Sequence, residues 1–478
     1  MRLKPRQFAY WLIVGTCLLA ASTPTVGQIV ATIRSVEVTT LSDNFSPPGC
    51  SLREAIESLD LNVSRSGCSL VRVPGAGADQ IVFDAAILPG EIRLNGRLIV
   101  RSSMFIRGPG RDQLSISGQN ADAIIAANVD LASAGLIVHG LTLTEGMANE
   151  GGAIDGTIIQ LSDVRVTNCS ARIGGGAVSA SRVTISDSEF VGNRVTSAFA
   201  AGGAISAGSA SIRTSSFVEN ESSTFGGAVA SRGELSISDS TFLGNRAATG
   251  GAIAFFGTDG VAERSRFIDN DGEAAVAFQQ GTSSSATSLL IFDQSVIVDE
   301  LANPFGTSLF GQLNDAGDTT LALENSTVFS RRTIRAESRL VLTHATIRMI
   351  GSDAPPAIIL PAGSSARFSS AILASDNPVS CQNGGASVTG FSNLYQHTDC
   401  GTESEFFSLF GDPMLGPLRD NGGPTESMRP LPGSPVIDQA GGFPVEVDQR
   451  GFPRIEGERD IGAIEVGART IFSDGFEP

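Results

Sequence analysis

The chain has 478 residues, of which 50 are acidic and 33 basic, and its formal net charge is −17. So acidic a chain is not expected to bind nucleic acid or an anionic membrane surface. Its length exceeds that of one compact domain, and its 55 glycines suit many tight turns or closely packed backbones.

Residues 1–27 have the pattern of a secretory signal peptide. MRLKPR supplies three basic residues, FAYWLIVGTCLLAA is a short apolar run, and polar ASTPTVGQ follows, with candidate cleavage sites after Ser22 or Gly27. The apolar run is too short for a stable membrane span. Loss of the segment would change the net charge from −17 to −20 and leave no lysine, no tryptophan and one tyrosine. We therefore expect an exported chain with no integral membrane segment after signal removal.

Residues 28–78 are predicted to cap the first end of the fold. In GCSLREAIESL, Ser51 and Glu54 have the spacing of a capping box, and Leu52, Ile56 and Leu59 fall on one helical face. This pattern predicts a short amphipathic helix. Such a helix could cover strand edges that would otherwise invite aggregation.

Five cysteines follow residue 27, and an exported chain permits disulfides. Cys50 with Cys68 and Cys381 with Cys400 are the economical pairs, although the sequence leaves other connectivities open. Neither pair has the CxxC spacing of a zinc or redox site. The fifth cysteine, Cys169, belongs to the repeat described next.

A repeat dominates residues 79–376. Glycine pairs followed by Ala and Ile or Val recur at steps of 24, 27, 24 and 24 residues from Gly151 to Gly250. The motif FxxN recurs beside them, at Phe190, Phe217, Phe242 and Phe267 with Asn193, Asn220, Asn245 and Asn270. A fixed period of this size indicates a solenoid. Apolar and polar residues alternate within each unit, as in LSISDSTF, so the stacked elements are short strands.

The sequence therefore predicts an all-β parallel β-helix whose coils stack at about 4.8 Å. The phenylalanines would stack inside, and the asparagines would form an amide ladder. Aligning DVRVTNC with DSEFVGN places Val166 at the phenylalanine position and Cys169 at the ladder position, which favours a buried substitute over a reactive thiol. Weaker coils on both sides bring the total to about twelve.

Three stretches resemble known bacterial families. TTLSDNFSPPGCSLREAIESL followed by ADQIVFD resembles the CSLREA-type N-terminal domain, and the GGAI and FxxN repeats resemble those of polymorphic outer-membrane proteins. Residues 377–465 contain PLRDNGGPTESMRPLPGSPVIDQA, VDQRGFPR and RDIGAIE, which are similar to the choice-of-anchor Q domain that closes bacterial surface β-helix proteins. The tail, 466–478, ends in IFSDGFEP, which resembles a tail of other exported gammaproteobacterial proteins.

The resemblance implies a right-handed, pectin-lyase-like β-helix exported from a bacterial cell, to the medium, the cell surface or the outer membrane. It implies no known reaction. Because this fold also houses carbohydrate enzymes, the fold alone does not decide the function.

No catalytic set stands out from the residues. The histidines, His139, His344 and His397, are far apart and share no motif, and no HExxH, GxSxG or P-loop pattern occurs. DNDGE, with Asp269, Asp271 and Glu273, is part of a calcium-loop pattern but lacks the distant bidentate Glu, so a solvated turn is expected. No cofactor is expected, and Ca²⁺ is the one ion left open.

Two further groups of carboxylates are expected to be structural. Asp187 and Asp239 are assigned to equivalent repeat positions with Ser215 between them, as turn-forming residues. The C-terminal motif contains several ionisable residues whose pairing could tie the last turns together: Asp438, Asp448, Arg450, Arg454 and Asp460.

Two functions remain. The first is a non-catalytic surface protein that acts in adhesion or envelope display, with a surface glycan or a host or cell-surface protein as its partner. The alternative is a polysaccharide lyase or glycoside hydrolase, which would need a cleft lined by converging Asp, Glu and Arg on one β-face.

Overall fold

The computed structural model describes residues 32–467, except 45–48, 66, 76, 128–134, 280–287, 301–306, 313–318, 352–355, 398–399, 402–403, 442–444 and 456–457. The predicted signal segment, 1–27, and all but the first two residues of the predicted tail lie outside this range. The described chain is a parallel β-solenoid of about 11 turns with one α-helix. At the spacing of neighbouring strands, the stack is about 50 Å long.

Three parallel sheets, here sheets A, B and C, run along the solenoid, and most turns contribute a strand to each. Sheet A contains, in chain order, Leu98–Val100, Ile125–Ala127, Val229–Ser231, Ile253–Phe255, Ala274–Gln279, Thr307–Gln312, Thr333–Ala336, Ile358–Leu360 and Cys381–Asn383. Sheet B contains Thr32–Val38, Asp79–Phe83, Met104–Arg107, Leu235–Ser238, Asp259–Glu263, Ser288–Asp293, Thr319–Glu324, Arg339–Thr343, Ser365–Ser369, Ser387–Phe391 and Ser404–Phe406.

Sheet C contains Gly90–Arg93, Leu114–Ser117, Glu189–Val191, Ser216–Val218, Thr241–Leu243, Arg266–Ile268, Val296–Asp299, Thr327–Ser330, Thr346–Met349, Ile372–Ser375, Leu394–Tyr395 and Leu409–Phe410. Four longer strands bend from one sheet into the next: Leu136–Thr144, Ile154–Thr167, Val178–Ser186 and Ile205–Arg213. A small fourth sheet contains Met147–Glu150, Ser170–Gly174, Arg194–Val195 and Glu221–Ser222. A 3₁₀ turn covers Ala85–Ile87.

The glycine pairs form the corners before sheet A. Gly175 has a φ of 60°, and a Cβ there would lie 2.1 Å from the carbonyl oxygen of Val178. The next glycine, Gly176, would place a Cβ 2.0 Å from the carbonyl oxygen of Gly203 in the following turn. The pair is therefore required both for the left-handed backbone and for the close approach of neighbouring turns.

The predicted cap helix is present as α1, Leu52–Leu61. Ser51 accepts a hydrogen bond from the Glu54 N–H, and the Glu54 carboxylate accepts one from the Ser51 N–H, which completes the capping box. Leu52, Ile56 and Leu59 are buried in the main core, and the helix packs on Thr32–Val38 and Leu98–Val100. A disulfide joins Cys50 to Cys68, and Leu70–Pro74 pairs antiparallel with Thr32–Val38 beside it.

Parallel stacking continues to Phe410, beyond the boundary at Asp376 that the repeat suggests. The last turns contain the second disulfide, Cys381–Cys400. The chain then turns back, and the described residues of 411–467, here the return segment, lie along the outer side of sheet C. Gly462 donates to the Ser370 carbonyl, Gln449 accepts from the Thr327 hydroxyl, and Glu426 pairs with Arg266, which is several turns back down the stack.

A second core fixes the return segment on sheet C. Val436 and Ile461 from the segment pack against Ile372, Ala374 and Leu394, the outward residues of the last strands. The return segment thus covers the flank of the last turns.

Candidate functional site

The interior of the solenoid contains the predicted phenylalanine stack. Rings of Phe190, Phe217, Phe242 and Phe267 lie 4.8, 4.9 and 5.0 Å apart between centroids, with interplanar angles of 3° to 8°. All four side chains are fully buried. Since the four rings are buried and stack on one another, this repeat packs the interior of the rod.

The predicted asparagine ladder is also present. The Asn220 carbonyl oxygen Oδ1 accepts hydrogen bonds from the backbone N–H and the side-chain Nδ2 of Asn193, at 3.1 and 3.0 Å. Asn220 in turn donates Nδ2 to Asn245 Oδ1 and to the Phe190 carbonyl, both at 2.9 Å. The same pattern continues to Asn270.

Cys169 begins this ladder, as the alignment of the repeats predicts. Val166 is in register with Phe190, and the Cys169 N–H donates to Asn193 Oδ1 at 3.0 Å. Burial raises the pKa of the Cys169 thiol to about 12. The thiol is therefore protonated and unreactive at neutral pH.

A second ladder was not predicted. It is a column of serines on successive turns: Ser188, Ser215, Ser240, Ser265, Ser295 and Ser326. Each serine hydroxyl accepts a hydrogen bond, at 3.1 to 3.2 Å, from the backbone N–H at the same position of the preceding turn. Ser215 therefore aligns with Ser188 and Ser240, and the predicted alignment with Asp187 and Asp239 is wrong by one residue. Asp187, Thr214 and Asp239 form the preceding column, in which φ is about 50°.

The outer side of sheet C carries a continuous apolar row. Its members are in register on successive turns and comprise Val191, Val218, Leu243, Ile268, Val298 and Phe329. Each is partly exposed, and Leu243 is 39% exposed. Five strand spacings make the row about 24 Å long. An apolar row of this length on an outer face is typical of an interaction surface.

The outer side of sheet B carries a row of three carboxylates. Glu263, Asp293 and Glu324 are in register on successive turns, with Arg264 beside them in an ion pair with Asp239. Burial, and then the Glu263 charge, raise the pKa of Asp293, while a hydrogen bond from Asn325 opposes the shift. Burial, and then the Asp293 charge, raise the pKa of Glu324. The pKa values of both carboxylates are therefore raised by burial and by the proximity of a neighbouring carboxylate in the row.

The carboxylates of DNDGE do not make a metal site. Within the described part of the chain, no group of three or more His, Cys, Asp or Glu side chains is arranged to hold a metal ion. Asp271 instead pairs with Arg246 on the neighbouring turn. This arrangement is that of the predicted solvated turn.

The three histidines lie apart on the structure. His139 hydrogen-bonds the Ser162 hydroxyl at 3.0 Å, and His397 hydrogen-bonds the Ser375 carbonyl at 2.9 Å. His344 is buried under the return segment. The structure does not bring them together as a catalytic group.

The ionisable residues of the C-terminal motif form a buried network in the return segment. The Asp448–Arg450 pair is present at 2.6 Å, but Arg454 pairs with Glu465 at 3.3 Å and not with one of the named aspartates. The Asp438 N–H donates to Asp460. Burial raises the pKa of Asp460 to about 6 and lowers that of Arg454. Arg454 also donates to Asn325, so the network anchors the segment to the rod.

Among the described residues, no helix has the length and apolar character needed to cross a membrane. Comparison with family models, with curated proteins and with solved structures finds no match to the chain.

Proposed function

We propose that the protein is an exported, non-catalytic β-helix that acts in adhesion or display at the bacterial cell surface. The observation that carries the proposal is the outer apolar row of sheet C. It offers a line of apolar side chains, aliphatic from Val191 to Val298 and ending at Phe329, beside three interior columns of phenylalanine, asparagine and serine.

The chemistry of the row favours a protein partner over a glycan. Sugars usually stack on Trp and Tyr faces, whereas Val218, Leu243 and Ile268 present aliphatic groups. The neighbouring outward row contains Arg165, Glu189, Ser216 and Thr241, which can hydrogen-bond a partner at the edge of the apolar contact. A surface protein with an extended apolar segment fits both rows.

Binding to cells tests this proposal. Fluorescently labelled chain (residues 28–478) would be incubated with bacterial and host cells, before and after treatment of the cells with protease or with glycosidases. We expect saturable binding that protease abolishes and that Leu243→Asp weakens. The matched control is Ser236→Asp, an exposed outward residue of sheet B. Equal binding by both variants, or binding abolished by glycosidases alone, would count against a protein partner on sheet C.

Export rests on the signal-like pattern of residues 1–27 and on the family resemblance. Expression of the whole gene in a bacterium, followed by fractionation and mass spectrometry of the N-terminus, tests it. We expect a mature start after Ser22 or Gly27 and recovery outside the cytoplasm. An intact N-terminus in the cytoplasm would contradict export.

The carboxylate row of sheet B supports a second candidate function, that of a glycoside hydrolase or polysaccharide lyase. Neighbouring strands place three carboxylates in register on successive turns, and a pair of nearby carboxylates is what glycosidases use. The raised pKa of Asp293 suits a general acid. Incubation with acidic and neutral polysaccharides, with and without Ca²⁺, tests this function. New reducing ends or unsaturated products that disappear in Asp293→Asn would establish it, and no turnover would leave the adhesion proposal.

A further inference from the structure

The two ends of the solenoid differ. At the N-terminal end, α1 packs on the first turns and buries Leu52 and Ile56. At the C-terminal end, the inward column of sheet C finishes at Phe410, which follows Leu373 and Tyr395 in register. Tyr395 is fully buried, but Phe410 is 60% exposed. Phe410, the last residue of the inward column of sheet C, is therefore covered on one side only.

The Phe410 ring already stacks on Tyr395, with centroids 5.9 Å apart and an interplanar angle of 30°. Its opposite face is where the next turn would lie. Each inward side chain further down the column is covered on both faces, so Phe410 lacks a contact that the rest of the column has.

The strands of the last turn also have one unpaired edge. Ser404–Phe406 pairs with Ser387–Phe391, and Leu409–Phe410 pairs with Leu394–Tyr395. The Leu409 and Gly411 N–H groups donate back to this preceding turn, to Asn393 and Tyr395. No strand in the described part of the chain pairs with the outer edge. Such an edge is a template for pairing with another chain.

A second aromatic side chain projects at the same end. Phe407 is 77% exposed and contacts the Phe391 ring edge-on at 5.8 Å. Beside it lies a groove of about 460 Å³, lined by Phe391, Phe407, Leu409 and the return-segment residues 438–441. The groove can take an aromatic side chain from a partner.

We propose that a second copy of this chain covers the end, through a two-fold axis beside the last turn. The two-fold axis sets the two outer edges antiparallel, so each copy supplies the strand and the ring that the other lacks. The contact continues the interface that each turn makes with the next along the rod. Because helix α1 occupies the other end, association stops at a closed dimer and does not produce a filament.

The charge of the chain sets the conditions of association. Two copies that each carry a net charge of −17 or below repel one another at long range. Salt screens that repulsion but leaves the apolar contact intact. Dimerisation is therefore stronger at high salt than at low salt.

Analytical ultracentrifugation of residues 28–478 tests the dimer. We expect a monomer–dimer equilibrium that shifts toward dimer with added salt, and a loss of roughly ten-fold or more in affinity in Phe410→Asp and Phe407→Asp. The control is Phe199→Asp, since Phe199 is 87% exposed on a side loop of an inner turn. A monomer at all concentrations and salts, or equal weakening by the control, would overturn the proposal.

Two more measurements distinguish loss of the dimer from misfolding of a variant, and a dimer contact from a contact made by residues 468–478. Phe407→Cys should form an intermolecular disulfide on mild oxidation, whereas Phe199→Cys should not. Deletion of residues 468–478 should leave the dimer unchanged. If the deletion instead converts a monomer into a dimer, the tail is the natural cover of the end and the proposal is wrong.

Discussion

Arg332 and Asp299 form an ion pair whose side chains are both fully buried inside the solenoid. Arg332 also donates to the carbonyls of Gly272 and Asn270, each at 2.8 Å. Asn270 is the last member of the asparagine ladder, so the guanidinium of Arg332 donates to the backbone at the turn where the ladder ends. The interior of the rod changes at this turn from an amide column to a charged pair.

Arg332→Met should destabilise the protein strongly, because it leaves the Asp299 carboxylate buried without its partner. Breaking a buried pair in this way costs about 3–5 kcal/mol. The double variant Arg332→Met, Asp299→Leu should recover much of the loss, since both charges are then gone. Urea denaturation of the three proteins measures this. A double variant no more stable than the single one would show that the pair is needed for more than mutual neutralisation.

Asn220→Ala should also destabilise the rod, since the Asn220 side chain takes part in four hydrogen bonds. The substitution leaves the Asn193 N–H buried without its acceptor, at a cost of about 1–3 kcal/mol. Asn149→Ala, at an exposed position, is the control. Similar unfolding midpoints for the two variants would mean that the ladder is incidental to stability.

The sequence was sufficient to predict the fold, the phenylalanine and asparagine columns, the place of Cys169 and the cap helix. These features depend on the same residue type recurring at a nearly constant interval, or on a local capping signal. The disulfides Cys50–Cys68 and Cys381–Cys400 were the economical choice, and the structure contains both.

The remaining features depend on register that the period alone does not determine. Glu263, Asp293 and Glu324 align across intervals of 30 and 31 residues, longer than the repeat of about 24. The apolar row of sheet C mixes Val, Leu, Ile and Phe, so no motif marks it. Because serine is common throughout the chain, its recurrence at one position of each turn could not be recognised from the sequence. Arg332 and Asp299 lie 33 residues apart in the sequence and come into contact because they belong to neighbouring turns.

Cys169 should be inert toward thiol reagents in the folded protein. It is the free cysteine among the described residues, it is fully buried, and burial raises its pKa to about 12. A colorimetric thiol assay should detect no reactive group in native protein without its signal segment and one after denaturation. Rapid labelling at pH 8 would show that the turn around Cys169 opens readily.

His344 should make the contact of the return segment with the rod sensitive to acid. Burial, and then the charges of Arg454 and Arg459, hold the pKa of His344 well below 6.5, while the backbone of Asp460 and Gly462 opposes the shift. The unfolded chain therefore binds the proton more readily. The contribution of His344 to stability is present above about pH 6.5 and is lost as the pH falls below that value toward the folded pKa, by at most about 1.4 kcal/mol per pH unit.

Asp460 acts in the opposite direction. Burial raises its pKa to about 6, so its contribution is present at low pH and is lost as the pH rises through about 6. The two groups partly cancel in the whole protein, and comparison with a variant separates them. His344→Asn removes the histidine titration and keeps a residue that tolerates the left-handed backbone, where φ is 48°.

The stability difference between the parent protein and His344→Asn should therefore shrink or reverse as the pH is lowered from 7.5 to 5. Thermal midpoints at each pH give this difference. Hydrogen exchange should locate it at Gly462 and Ala463, whose N–H groups donate to Ser370 and Thr346 of the rod. If the difference is constant with pH, or if exchange increases evenly along the rod, then protonation of His344 does not loosen the return segment.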